Sequence, residues 1–155
     1  MRLDFYHLRT WSLEKALPQL LIKVLDSGKT ALVLTSSISR AEELSGFLWA
    51  YEPCSWLVHG IVGDEGVAEN NPVYLTDDET KNNNANTLVL TDGMISNNLS
   101  QYQRCIVFIN ASDPDSFKTS YASWCDGKAA SYELHHWFQK NDGKWEEGQF
   151  SIENS

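Results

Sequence analysis

Short, uniformly apolar runs separated by stretches of helical spacing constrain this chain more than any other feature. Residues 30–35 (TALVLT), 87–91 (TLVLT) and 105–109 (CIVFI) lack the polar alternation of a half-solvated strand. They read as interior strands, the first of them covered on both faces. Residues 3–8 (LDFYHL) and 72–76 (PVYLT) add two further strand-like segments. After Ser12, the residues Leu13, Ala16, Leu17, Leu20, Leu21, Val24 and Leu25 recur at helical spacing. Pro18 is expected to kink the first turns of that helix or to mark where its regular part begins, and Gly28 ends it. Ser39-Arg40-Ala41-Glu42 has the spacing of a capping box. It opens a second helix with an inward stripe of Ala41, Leu44, Leu48 and Tyr51, which turns Trp49 outward. Asp113-Pro114 starts a third, with Phe117, Tyr121, Trp124, Cys125 and Lys128 on one side. Gly127 weakens that helix by about 1 kcal/mol relative to Ala. Two strand-like segments, 133–139 and 144–149, close the chain around Asn141-Asp142-Gly143, a hairpin signal. Residues 52–66, 77–86 with the asparagine run 82–84, and the surroundings of Asn97 and Asn98 read as loops. Strands alternating with helices imply an α/β fold: a mostly parallel central sheet covered on both faces, with an antiparallel hairpin added late. With 155 residues, no internal repeat and no linker-like stretch, residues 1–155 read as one domain.

Twelve Lys and Arg against 21 Asp and Glu leave a net charge of -9. Such a chain repels a phosphate backbone, so direct DNA binding is disfavoured. Hydrophobic residues at 42% and charged ones at 21% are a globular mix, and no apolar stretch is long enough to span a bilayer. The start, MRLDF, brings an acidic residue at once and no continuous apolar region, unlike a signal peptide, so a cytoplasmic protein without membrane partners is expected. Cys54, Cys105 and Cys125 are odd in number and widely spaced, which fits neither a disulfide framework nor a zinc site.

Candidate chemistry is sparse. Gly28-Lys29-Thr30 echoes the end of a phosphate-binding loop, but Lys23 stands where that motif needs glycine, and the triplet leaves a helix to enter a strand, the reverse of the required context. Residues 60–66 (GIVGDEG) hold Asp64 and Glu65, which oppose a pyrophosphate; a flexible turn is the simpler reading. His135 and His136 point to opposite faces of a strand and cannot easily share a metal. Cys54 with His59 makes no nucleophilic site without supporting geometry. Asp77-Asp78-Glu79 reads as a solvated acidic surface. No catalytic site, metal or cofactor is expected.

The aromatic content points elsewhere. Six of the residues are Trp, and Trp49, Tyr51, Pro53, Trp56 and Leu57 fall within one helix end and the loop after it. An outward Trp49 beside such a cluster suits a protein-binding hot spot.

The chain also carries, in order, Phe5-Tyr6-His7-Leu8, Leu13-Glu14-Lys15-Ala16-Leu17-Pro18, Leu48-Trp49-Ala50-Tyr51 with Trp56 and His59-Gly60, Asn71-Pro72-Val73-Tyr74-Leu75-Thr76, Leu88-Val89-Leu90-Thr91-Asp92-Gly93, and Lys128-Ala129-Ala130 leading to His136-Trp137. In this ordered set it resembles the chi subunit family of bacterial DNA polymerase III. The resemblance implies a three-layer, Rossmann-like domain that is a non-catalytic adaptor in DNA replication and meets DNA only indirectly. It implies a surface for the psi subunit of the clamp loader, carried over to Trp49, Tyr51, Trp56 and Leu57. It also implies a groove for the acidic, Phe-ended C-terminal tail of single-stranded DNA-binding protein, at Lys118, Tyr121, Trp124 and Lys128. Tyr121 and Cys125 stand where the family commonly carries Arg or Lys, and Ser131 where it carries Gly. An adaptor for a DNA-repair helicase using the same aromatic patch, or a small α/β nucleotide-binding enzyme, are the alternatives.

Overall fold

The computed structural model describes residues 1–9, 11–50, 60–61, 72–80, 84–110 and 113–148, with Trp49, Ile61 and Ser116 described by backbone alone. Its strands are β1 (Arg2–Leu8), β2 (Ala31–Leu34), β3 (Gly60–Ile61), β4 (Val73–Thr76), β5 (Thr87–Leu90), β6 (Arg104–Asn110), β7 (Glu133–Gln139) and β8 (Trp145–Gly148). They form one sheet in the order β3-β4-β2-β5-β6-β1-β7-β8. Every described pair is parallel except β7 with β8.

Among the described residues, three α-helices, α1 (Leu13–Asp26), α2 (Ile38–Ala50) and α3 (Pro114–Ala129), make the outer layers. Alternation along the strands sorts the core into two. Tyr6, Leu8, Ala31, Val33, Val73, Leu75, Val89, Ile106 and Phe108 pack with the apolar stripes of α1 and α2. Leu3, Phe5, Leu32, Leu34, Leu88, Leu90, Cys105, Val107 and Ile109 pack with Phe117 of α3 on the other face. Because both faces are covered, β2, β4 and β5 are buried at every position, as apolar runs without alternation require.

Local signals account for most boundaries. Gly28 (φ +80°) closes α1 as its N–H reaches Leu25 O and that of Lys29 reaches Val24 O, the paired bonds of a left-handed helix stop. Asp113 caps α3, accepting from Asp115 N at 3.1 Å. Three residues, Asn141, Asp142 and Gly143, turn β7 into β8, with Gly143 at φ +86°.

Four expectations are corrected. The cap of α2 is Ser37, whose Oγ accepts from Arg40 N at 3.0 Å, because Ile38 and Ser39 already lie inside the helix. Pro18 does not start α1; it sits buried inside a helix that begins at Leu13. Gly60 and Ile61 form an edge strand on β4 where a loop was read, since a two-residue pairing leaves no periodic signature. On α3 the inward line is Phe117, Ser120, Trp124 and Gly127, whereas Cys125 and Lys128 are exposed. Gly127 lets the helix approach the sheet: a Cβ there would lie 3.0 Å from Leu134 Cδ2 and 3.1 Å from Leu3 Cδ2.

Candidate functional site

In open α/β sheets, ligands bind outside the carboxyl ends of the strands, and a helix N-terminus there attracts anions. In this chain that crest is occupied by its own side chains. Arg40, in the first turn of α2, donates from Nε to Asp92 Oδ2 at 3.0 Å and from Nη1 to Glu14 Oε1 at 2.8 Å, and also pairs with Glu43. Burial opposes the Arg40 charge, but the bonds to Glu14 and Asp92 outweigh it and raise its pKa. One guanidinium facing three carboxylates repels a phosphate. Gly28-Lys29-Thr30 joins the end of α1 to the start of β2, so it too lacks the strand-to-helix context of a phosphate loop.

The opposite end of the sheet has the inverse charge arrangement. Asp4, fully buried, accepts from Arg2 Nε at 3.0 Å, Arg104 Nε at 2.7 Å and Trp137 Nε1 at 3.0 Å. Burial pushes this carboxyl up, yet the bonds from Arg2, Trp137 and Arg104 hold it below its ordinary value. Above it runs a row of rings: Phe108 and Tyr6 with centroids 6.0 Å apart, Tyr6 stacked on Trp137 at 6.0 Å, and Trp145 edge-on to Tyr6 at 5.0 Å. Trp11 completes the cluster. Its backbone N–H donates to Gln139 Oε1 at 2.9 Å, and its ring lies so close to Gly143 that a Cβ there would fall 2.8 Å from Cζ2. Between α1 and the β7–β8 hairpin, Tyr6, Trp11, Trp137 and Trp145 wall a groove of about 520 Å³.

The residues singled out from the sequence are placed as follows. Lys118 and Lys128 are exposed on α3, while Tyr121 and Trp124 are half-buried against the sheet. The Trp124 ring meets Phe5 at 5.3 Å and His136 at 6.3 Å. The two lysines are ten positions apart, roughly 15 Å along the helix, so they border one surface at its two ends rather than converging. Trp49 lies in the last turn of α2, with its side chain outside the described residues; Tyr51, Pro53, Cys54, Trp56, Leu57, His59, Asp64 and Glu65 lie outside them altogether. His135 and His136 do face opposite ways: His135 pairs with Glu147, whose bond raises its pKa, and His136 is buried next to Phe138, at 4.3 Å. The acidic stretch at 77–79 is not merely solvated, since Glu79 accepts from Tyr102 OH at 2.9 Å and from Ser96 Oγ at 2.7 Å. Among the described residues, no group of three or more His, Cys, Asp or Glu could hold a metal, and no helix is long and apolar enough to cross a membrane.

Residues 1–135 match the family model described as DNA polymerase III chi subunit, HolC. The chain belongs to the chi subunit family. That family is an accessory, non-catalytic part of DNA polymerase III, and its work is replication. A relative named "Probable DNA polymerase III subunit chi", from Rickettsia prowazekii (strain Madrid E), is 31% identical over 87 residues, which are 56% of this chain and 52% of that one. The matched stretch thus spans about half the length of this curated relative. Among solved structures, a chain in the complex of S. cerevisiae Dbp5 L327V with Nup159, Gle1 H337R, IP6 and ADP superposes with a TM-score of 0.57 at 12% identity. The likeness covers 88% of this chain and 41% of that one and concerns the fold alone.

For this chi-family chain, sequence reasoning missed two features. The aromatic groove unites Tyr6 and Trp11 with Trp137 and Trp145, more than 120 positions further on, and only the parallel pairing of β1 with β7 brings them together. A usable signal was present in Tyr6 and Trp137, which lie at aromatic positions of two strands. Phe47 and Ile38, 47% and 48% exposed on α2, are the other omission; they lie off the stripe on which attention rested.

Proposed function

We propose that this chain acts by docking, as the adaptor that links the clamp loader, through its psi subunit, to the acidic, Phe-ended C-terminal tail of single-stranded DNA-binding protein. Family membership over residues 1–135 is the observation that carries this reading. The self-occupied crest supports it, because an α/β protein with Arg40 ringed by Glu14, Glu43 and Asp92 is ill suited to take up a nucleotide there. The psi surface is assigned to the end of α2 and the segment after it, with Trp49, Tyr51, Trp56 and Leu57 as anchors. The tail is assigned to α3, where Lys118 and Lys128 meet its carboxylates and the half-buried Tyr121 and Trp124 receive its terminal ring. DNA is contacted only through these proteins.

The test of the psi surface is co-purification of the psi subunit with the full chain and with a Trp49→Ala, Trp56→Ala variant. Each hot-spot Trp is worth about 2 kcal/mol or more, so the double variant loses its partner. Undiminished co-purification removes those residues from the interface.

A further inference from the structure

The groove between α1 and the hairpin is more polar at its rim, and more aromatic within, than the fold requires. Elsewhere on this face, α1 and α2 roof the sheet; along β7 and β8 the rings of Trp137 and Trp145, with Trp11 beside them, stay only partly buried. Rigid, half-exposed indoles around a concavity of about 520 Å³ are the lining of a binding site, not of a closed core.

Charge then selects the occupant. In a chain with 21 acidic and 12 basic residues, no Asp or Glu among the described residues lines this groove, while exposed Lys23 and Lys144 do. A third cation, Lys15 Nζ, lies 4.6 Å above the Trp11 ring. The partner is therefore anionic and carries large apolar side chains. A nucleic acid would need a continuous basic track to offset the repulsion of a body with net charge -9; two lysines on the groove and a third over its Trp11 ring instead match a few carboxylates flanking an apolar anchor.

We infer that this groove docks an acidic peptide segment, which inserts large apolar side chains among Trp11, Trp137 and Trp145 and sets its carboxylates against Lys15, Lys23 and Lys144. The site lies on the sheet face opposite α3 and does not depend on the adaptor reading given above.

The probe is a fluorescein-labelled peptide, Asp-Glu-Leu-Phe-Glu-Asp, with an amidated end so that it lacks the free terminal carboxylate of a protein tail. Fluorescence polarisation with the full chain is expected to show saturable binding that weakens with salt. Trp145→Ala should weaken it at least tenfold. A Lys23→Gln, Lys144→Gln variant, altered only at exposed positions and checked for folding by circular dichroism, should weaken it about tenfold and flatten the salt dependence. Lys118→Glu with Lys128→Glu on α3 should leave it unchanged, and a peptide with Lys at every acidic position should not bind. Absence of saturable binding, full binding by the folded double-Gln variant, or loss only in the α3 variant would overturn the inference. So would a twelve-residue oligothymidylate that binds more tightly than the peptide and displaces it, since the site would then belong to nucleic acid.

Discussion

Asp4 and Arg40 are inverse solutions to the same problem. At the amino ends of β1, β6 and β7 one buried carboxylate serves two arginines and an indole; at the carboxyl ends one arginine serves three carboxylates. The first centre has no exposure at its carboxylate, whereas the Arg40 side chain keeps 17%. The crest where α/β enzymes receive phosphates is negative and filled from within, while the aromatic groove runs along the β1–β7–β8 side of the sheet, with Lys23 and Lys144 on its lining. A net charge of -9 hides this segregation. What repels a nucleotide and what attracts an acidic protein segment are separate places on one molecule.

The contrast can be broken most forcefully at Asp4. Asp4→Ala removes the shared acceptor of Arg2, Arg104 and Trp137, and loss of one partner in a buried ion pair costs about 3 kcal/mol; urea unfolding should show a drop of that size. Arg40→Ala should cost only about 1 kcal/mol in the same assay, because its partners are partly solvated and screened. Equal losses at the two positions would show that burial does not separate the centres.

A smaller effect appears in the pH profile. Burial, aided by Arg9, lowers the pKa of His7 from 6.5 to about 4. The unfolded chain then binds a proton that the folded chain refuses, so the stability present above pH 6.5 falls as pH drops toward about 4. Asp4 has a depressed pKa, so its contribution is intact above the ordinary carboxylate range and is lost at lower pH, as acid protonates it in the fold. His7→Leu should flatten the upper window of an unfolding titration and leave the acid limb in place; an unchanged slope between pH 6.5 and 4 would contradict this assignment.

How much of this was legible in the sequence follows from the range of the interactions. Apolar runs with no alternation disclosed β2, β5 and β6 because burial on both faces acts at every residue of a strand, and Asp113-Pro114 disclosed the start of α3 because capping is local. Gly127 misled for the opposite reason. Propensity marks it as a weak point of the helix, yet its missing Cβ is what admits Leu3 and Leu134, from strands that local reasoning does not see. Ser131 is similar: it holds φ +60° just past α3, where the backbone favours glycine, and its N–H closes on Lys128 O. Lys118, Tyr121, Trp124 and Lys128 do lie on one helix, but their division into exposed Lys118 and Lys128 and half-buried Tyr121 and Trp124 depends on the sheet beneath. The groove was invisible because Trp11, Trp137 and Trp145 converge only once β7 has crossed to the side of β1.

Docking as the sole activity is tested most directly by titrating the full chain with the C-terminal tail peptide of single-stranded DNA-binding protein, with and without its terminal Phe, by isothermal calorimetry. The account predicts saturable binding of the complete tail, at least tenfold weaker binding without the Phe, and a comparable loss in a Lys118→Glu, Lys128→Glu variant. No heat of binding from the complete tail, or equal binding of the two peptides, would contradict it.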